Sequence, residues 1–183
     1  AKAWNGTVGG ILGFLANGTF TNNGTLNANA LGFRGVGGGS DQRQTGRFGE
    51  GISGASYSRL TSSNGNGGGV RHGGAGDYSL PAGAGGGGGN GTIGEIGGSA
   101  RGGIGGSGGS ISGSDDLTTM TFGGAGGEGG TRNNTDTIGA TEGNGGGILF
   151  INAVTITNNS LITANGGNAI TGNSPYGEGG GAG

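Results

Sequence analysis

Residues 82–112 read AGAGGGGGNGTIGEIGGSARGGIGGSGGSIS, and every third position carries almost no side chain. Ala82, Gly85, Gly88, Gly91, Gly94, Gly97, Ala100, Gly103, Gly106, Gly109 and Ser112 form that column, while Ile93, Glu95, Ile96, Arg101, Ile104 and Ile111 fall in the other two. A helix of the polyproline II type has three residues per turn and about 3.1 Å rise, so every third residue lies on one face. A face of Gly, Ala and Ser lets a neighbouring backbone come into direct contact. The pattern therefore predicts a bundle of glycine-rich extended helices, hydrogen-bonded side by side. On this reading Gly97→Val jams a backbone-to-backbone contact, whereas in a disordered tract it does little.

Composition narrows the alternatives. Gly accounts for 58 of 183 residues, about a third, but there are only 2 Pro and period three holds in patches. A collagen triple helix needs strict period three and abundant Pro, so it is excluded. Disordered chains of this polarity usually carry high net charge; here charged residues make up 10% and the net charge is −2. Hydrophobic residues reach only 28%, too few for a conventional core. Backbone hydrogen bonding must carry more of the fold than usual, because every buried N–H and C=O needs a partner.

The two ends of the chain repeat one unit. GGILGFLANGTFTNNGTLNANALG (9–32) lies over GGGILFINAVTITNNSLITANGGN (145–168) without a gap at a shift of 136 residues. Gly9, Gly10, Phe14, Thr19, Thr21, Asn22, Asn23, Ala28 and Asn29 match Gly145, Gly146, Phe150, Thr155, Thr157, Asn158, Asn159, Ala164 and Asn165. Leu12/Ile148, Leu15/Ile151, Phe20/Ile156 and Leu26/Ile162 keep apolar character. Short β-branched and aromatic runs broken by Asn-Gly or Asn-Asn are strand–turn signals, and no helical period is visible. One such unit is too small to bury its own apolar face, so the two are expected to stack. The expected fold is all-β and irregular, with essentially no α-helix. A short β-solenoid or small β-sandwich is built from residues 1–35 and 145–170. A glycine-rich insertion over 36–144 forms the polyglycine bundle, with a glycine-rich tail at 171–183.

The groups that carry catalysis are sparse. No GxGxxG-type stretch precedes a helix, so no nucleotide fingerprint is formed. His72 is the one histidine and Cys is absent, which leaves no triad, thiolate metal site or disulfide. Glu50, Glu128 and Glu178 each stand between two glycines, placed to accept backbone N–H bonds or to pair with Arg34, Arg47, Arg101 or Arg132. No catalytic, cofactor-binding or metal site is expected, and the chain reads as a non-enzyme. The balance of charge gives no basic face for nucleic acid. No apolar run approaches the roughly 18 residues of a membrane span. Sequons fall at Asn5, Asn17, Asn23, Asn90, Asn133 and Asn158. They are candidate glycosylation sites, although most coincide with turns that the fold requires.

The units GILGFLANGTFTNNGTLNANALGFRG and GGGILFINAVTITNNSLITANGG, flanking glycine tracts, resemble bacterial and phage glycine-rich extracellular surface proteins. The stretch 82–112 is also similar to the polyglycine II sandwich of phage tail-fibre tip adhesins. That resemblance implies an extracellular or cell-surface setting and a role in building a surface or binding to one. The expected role is a secreted structural protein whose partner is further copies of itself, forming a filament, sheath or surface layer. Ile11, Phe14, Phe20, Phe150 and Ile156 are the candidate subunit contacts. The alternative is an adhesin displaying loops from the glycine bundle to cell-surface glycans, with Phe48, Tyr57 and Tyr78 as ligand-loop aromatics. A more distant alternative, ice binding, rests on the aligned Thr19/Thr21 and Thr155/Thr157 pairs.

Overall fold

A computed structural model describes residues 1–35, 48–52, 54–55, 84–98, 105–114, 116–128 and 142–169. Tyr57, Tyr78, Asn133, His72, the glycine run at 65–76 and the tail at 171–183 lie outside the described residues. Among those described there is no helix.

Each terminal repeat contributes three short strands. The first supplies β1 (Ile11–Leu15), β2 (Thr19–Asn22) and β3 (Leu26–Asn27). The second supplies β6 (Ile148–Asn152), β7 (Thr155–Asn158) and β8 (Ile162–Thr163). The repeats lie one upon the other, with β1 on β6, β2 on β7 and β3 on β8, every pair parallel. Between them β4 (Glu50–Gly51) and β5 (Gly54–Ala55) form a small antiparallel pair. Alternation drives the strands: in β1, Leu12 and Phe14 turn inward while Ile11, Gly13 and Leu15 face out.

The repeats do not stack at one constant shift. Thr19 pairs with Thr155 and Leu26 with Ile162, as the gapless alignment requires, but Phe14 pairs with Ile151 and Gly13 with Phe150. The Phe14/Phe150 match is therefore a register error of one residue. Three residues (16–18) separate β1 from β2, and two (153–154) separate β6 from β7, which absorbs the difference. A one-residue slip moves a side chain to the other face. Phe14 is inward and Phe150 outward, at 39% exposure.

The glycine tracts are joined by backbone bonds at every third residue. Ala84 and Gly87 donate to Gly98 and Glu95; Gly94 and Gly97 donate to Gly109 and Gly106; Gly106, Gly109 and Ser112 donate back to Ala84, Gly87 and Asn90. The tracts 84–90, 94–98 and 105–112 thus close a cycle of three mutual neighbours. A fourth, 123–127, joins through Gly124 to Gly89 and Gly127 to Gly86. It then passes to the second repeat through Gly123 to Gly146 and Gly126 to Gly143. Gly32 donates to Gly145, and Gly145 donates to Phe33, so the network also takes in residues at both repeat boundaries.

The column read from 82–112 is therefore not one continuous face. The chain turns at 90–92, and the column passes through three tracts: Gly94 and Gly97 abut the 84–88 backbone, while Gly106, Gly109 and Ser112 keep the same period as donors to Ala84, Gly87 and Asn90. Gly85 and Gly88 abut the Gly127 and Gly124 carbonyls, and Gly86 and Gly89 abut those of Ser107 and Gly109. Gly91, in the same column, meets nothing. Buried hydrophobic side chains among the described residues are only Ala28, Phe48 and Ala125. The interior is largely backbone on backbone.

Candidate functional site

Among the described residues, three of the four strand pairs join the two repeats. The pairing of β2 with β7 places like residues on like residues, and asparagines use this. Asn22 Nδ2 donates to Asn158 Oδ1 at 2.7 Å, and Asn159 Nδ2 donates to Asn23 Oδ1 at 2.8 Å. Thr163 Oγ1 and the Asn165 N–H both donate to Asn29 Oδ1 at 2.7 Å. Such ladders of stacked amides accompany in-register parallel strands. Within the first repeat Phe14 and Phe20 stack at 5.0 Å. Thr19, Thr21, Thr155 and Thr157 form an exposed two-by-two array on β2 and β7.

Among the described residues every strand of the two repeats has one partner, because each sheet contains two strands. Each therefore offers a second edge with backbone donors and acceptors facing away from its partner repeat. Edges of this kind are templates for further strand pairing. The predicted subunit contacts divide on this surface. Ile11, Phe150 and Ile156 are exposed, whereas Phe14 and Phe20 are half-buried and packed on one another.

The junction between repeats and bundle is clamped by aromatic and ionic contacts. Phe122 lies 5.3 Å from Trp4 and 5.3 Å from Phe33, edge-on to the latter. Arg34 forms a two-pronged pair with Glu50, through Nε to Oε2 at 3.0 Å and Nη2 to Oε1 at 3.1 Å, and its backbone N–H also donates to Oε2. Arg34 Nη1 reaches the Asn5 carbonyl at 2.9 Å. Burial pushes the Glu50 carboxyl up. The Arg34 bonds, aided from beyond hydrogen-bonding distance by the Trp4 indole N–H, outweigh burial and hold it below its ordinary value of 4.5. A depressed folded value means the contribution is complete above 4.5 and is lost as pH falls through the folded value. Stability is expected to drop on acidification below pH 4.5. Glu50→Gln should remove about 1 kcal/mol at neutral pH, a modest figure because Arg34 is partly exposed. Urea titrations at pH 7 and pH 3 check both. A variant that loses nothing at pH 7 would show the pair to be neutral.

A second feature is the loop at 113–120. Asp116 Oδ1 accepts from the Ser114 hydroxyl at 2.6 Å, the Thr118 N–H at 3.0 Å and the Thr118 hydroxyl at 2.8 Å. Those bonds, the Ser114 hydroxyl foremost, hold its carboxyl down at about 2. Leu117 stands at positive φ and 70% exposed, and Met120, Ile111 and Ile93 are also exposed. A cavity of about 190 Å³ between bundle and second repeat is lined by Gly88, Asn90, Thr92, Gly124, Gly146 and Ala164, among others, with no titratable side chain. No group of three or more His, Asp or Glu side chains converges among the described residues. No helix among them is long and apolar enough to cross a membrane.

No protein family, curated protein or solved structure matches the chain.

Of the expected ligand-loop aromatics, Phe48 is described and is 5% exposed. It packs in the interior, so it is corrected from a displayed aromatic to a core residue. The sequons at Asn5, Asn17, Asn23, Asn90 and Asn158 are exposed. Asn5 Oδ1 accepts from the Thr7 and Val8 N–H groups around Gly6 at φ 99°, so that sequon is also a built turn. Sequence reasoning passed over Trp4 and the buried Glu142. Trp4 stands alone before any strand, and Glu142 sits in an unremarkable Thr-Glu-Gly context.

Proposed function

We propose that this protein is a structural subunit which assembles with copies of itself outside the cell, into a filament, sheath or surface layer. The observation that supports it most is the in-register parallel stacking of two repeats whose second edges remain unpaired. On this reading the repeats are two coils of a short β-solenoid, and the glycine tracts are a polyglycine II bundle hung from their corner. Solenoid coils are stable by virtue of their neighbours, so a two-coil unit gains by adding more. A net charge of −2 offers little repulsion between copies. The likeness in style to glycine-rich bacterial and phage surface proteins supports an extracellular location.

The second reading, an adhesin that presents loops to cell-surface glycans, draws on the 113–120 loop. Leu117 is held out on a turn braced by Asp116. An exposed apolar residue on a rigid turn is a feature of contact surfaces. Negative-stain electron microscopy of native material at physiological salt separates the two. Regular filaments or sheets are expected for the subunit; discrete particles at high concentration would sink that reading and favour the adhesin.

A further inference from the structure

We propose that successive copies stack head to tail. The outer edge of the first repeat of one copy pairs, parallel and in the internal register, with the outer edge of the second repeat of the next. The inference rests on the structural-subunit reading and names the surface and geometry that this reading requires.

Three observations carry it. The first is that the two edges needed are already known to fit. Inside one chain the inner edge of β2 meets the inner edge of β7 with Thr19 on Thr155 and Asn22 on Asn158. Because the repeats share a backbone path there, the outer edge of β7 repeats the inner edge of β2. The outer edge of β2 likewise repeats the inner edge of β7. A copy translated along the stack meets the same surface that its own repeats already make.

The second observation is the direction of the backbone groups. The Gly18 carbonyl accepts from Thr155, and the Asn22 carbonyl accepts from Asn159. Strand residues alternate sides, so the backbone groups of Thr19 and Thr21 face away from the second repeat. Those of Ile156 and Asn158 face away from the first. These are matched, unpaired rows of donors and acceptors.

The third is the asparagine ladder. Asn22 on Asn158 and Asn23 on Asn159 stack their amides, and an amide that donates to one neighbour can accept from another. Head-to-tail stacking continues the ladder without a break. A two-fold arrangement of edge against identical edge pairs β2 with β2 antiparallel and breaks it. Lys2 and Trp4 bond the Gly10 N–H and the Leu31 carbonyl, occupying the corners of the first repeat. The contact is therefore centred on β2 and β3. A head-to-tail contact that does not close on itself gives an open filament.

The test uses the full chain, which has no cysteine. Thr21→Cys and Thr157→Cys are made separately, both at exposed positions. In-register parallel strands set these positions about 4.8 Å apart, within disulfide reach. After assembly and mild oxidation, a disulfide-linked dimer is expected when the two variants are mixed and in neither alone. A dimer from Thr21→Cys alone would overturn head-to-tail stacking in favour of like edges. Filaments without a cross-link in the mixture would overturn it in favour of another surface, leaving the subunit reading standing. Absence of assembly by the unsubstituted protein overturns both. Fibre diffraction of the unsubstituted filament is an independent check, with an expected subunit repeat of about 9.6 Å, two strand spacings. A different repeat rejects the stacking.

Discussion

Gly97→Val is expected to dismantle the glycine bundle, while Gly98→Val, one residue on, leaves it intact. A Cβ on Gly97 would fall well under 3.0 Å from the Ala84 carbonyl oxygen, with the Gly85 carbonyl beside it. Both obstacles are backbone, held by the bonds from Ala84 to Gly98 and from Gly106 to Ala84. Neither can swing aside as a flexible side chain would. Overpacking against rigid surroundings costs about 3 kcal/mol or more. A Cβ on Gly98 meets nothing within 4 Å. There the substitution mainly restricts the unfolded chain, which stabilises by about 0.5 kcal/mol when the backbone conformation suits the new residue. Amide hydrogen exchange gives the readout. Protection of the Gly94, Gly97 and Gly106 N–H groups should collapse in Gly97→Val and persist in Gly98→Val. Equal protection in both variants would show that the contact between tracts does not hold the bundle.

That contrast marks how far the sequence could be read. The spacing of Gly, Ala and Ser announces backbone-on-backbone packing, because nothing larger fits between extended chains joined side by side. It does not say where the chain reverses. The turn at 90–92 uses Asn90-Gly91, a turn dipeptide that the run of glycines before it hides. Once the chain has turned, each tract takes new neighbours, so Gly94 and Gly97 abut the 84–88 backbone while Gly106 and Gly109 accept from Gly97 and Gly94. Periodicity is a property of one tract, and a long glycine-rich stretch holds several.

The repeats were legible for a related reason and misread at one point. Asn-Gly and Asn-Asn turns between β-branched runs are local signals, and the parallel pairing of β2 with β7 and β3 with β8 follows the sequence match. The first strand departs from it. Phe14 and Phe150 are identical residues on opposite faces, because the link at 16–18 is one residue longer than that at 153–154. Identity outweighed alternation in the alignment; Leu12 over Leu149 and Phe14 over Ile151 keep the inward face apolar in both repeats. Phe48 stands in a polar stretch that reads as a displayed loop, whereas its side chain is buried. The Arg34–Glu50 pair was foreseeable from a glutamate between glycines, since such a carboxylate has few other ways to be satisfied.

Asn22→Ala is expected to destabilise the stacked repeats by about 2 kcal/mol, and Asn23→Ala by less than about 0.5 kcal/mol. The two are adjacent and each belongs to the ladder, yet they differ in burial. Asn22 is 4% exposed. Its Oδ1 accepts from the Gly24 N–H at 3.2 Å, fixing the turn after β2, while its Nδ2 donates to Asn158 Oδ1 and reaches the Leu161 carbonyl at 3.4 Å. Truncation removes both functions at once, in bonds that are part-buried, and empties the buried place of the Asn22 amide, the costlier side of hydrogen-bond energetics. Asn23 accepts from Asn159 at an exposed position, where water replaces the lost bond. Chemical denaturation of the two variants against the parent measures the difference. A cost at Asn22 no larger than at Asn23 would show that the ladder is a consequence of register rather than a cause of it. The outer edges would then have to be recognised by their backbone alone. A large cost at Asn22 makes the stacked amide a register lock, since it bonds well only when asparagine lies over asparagine.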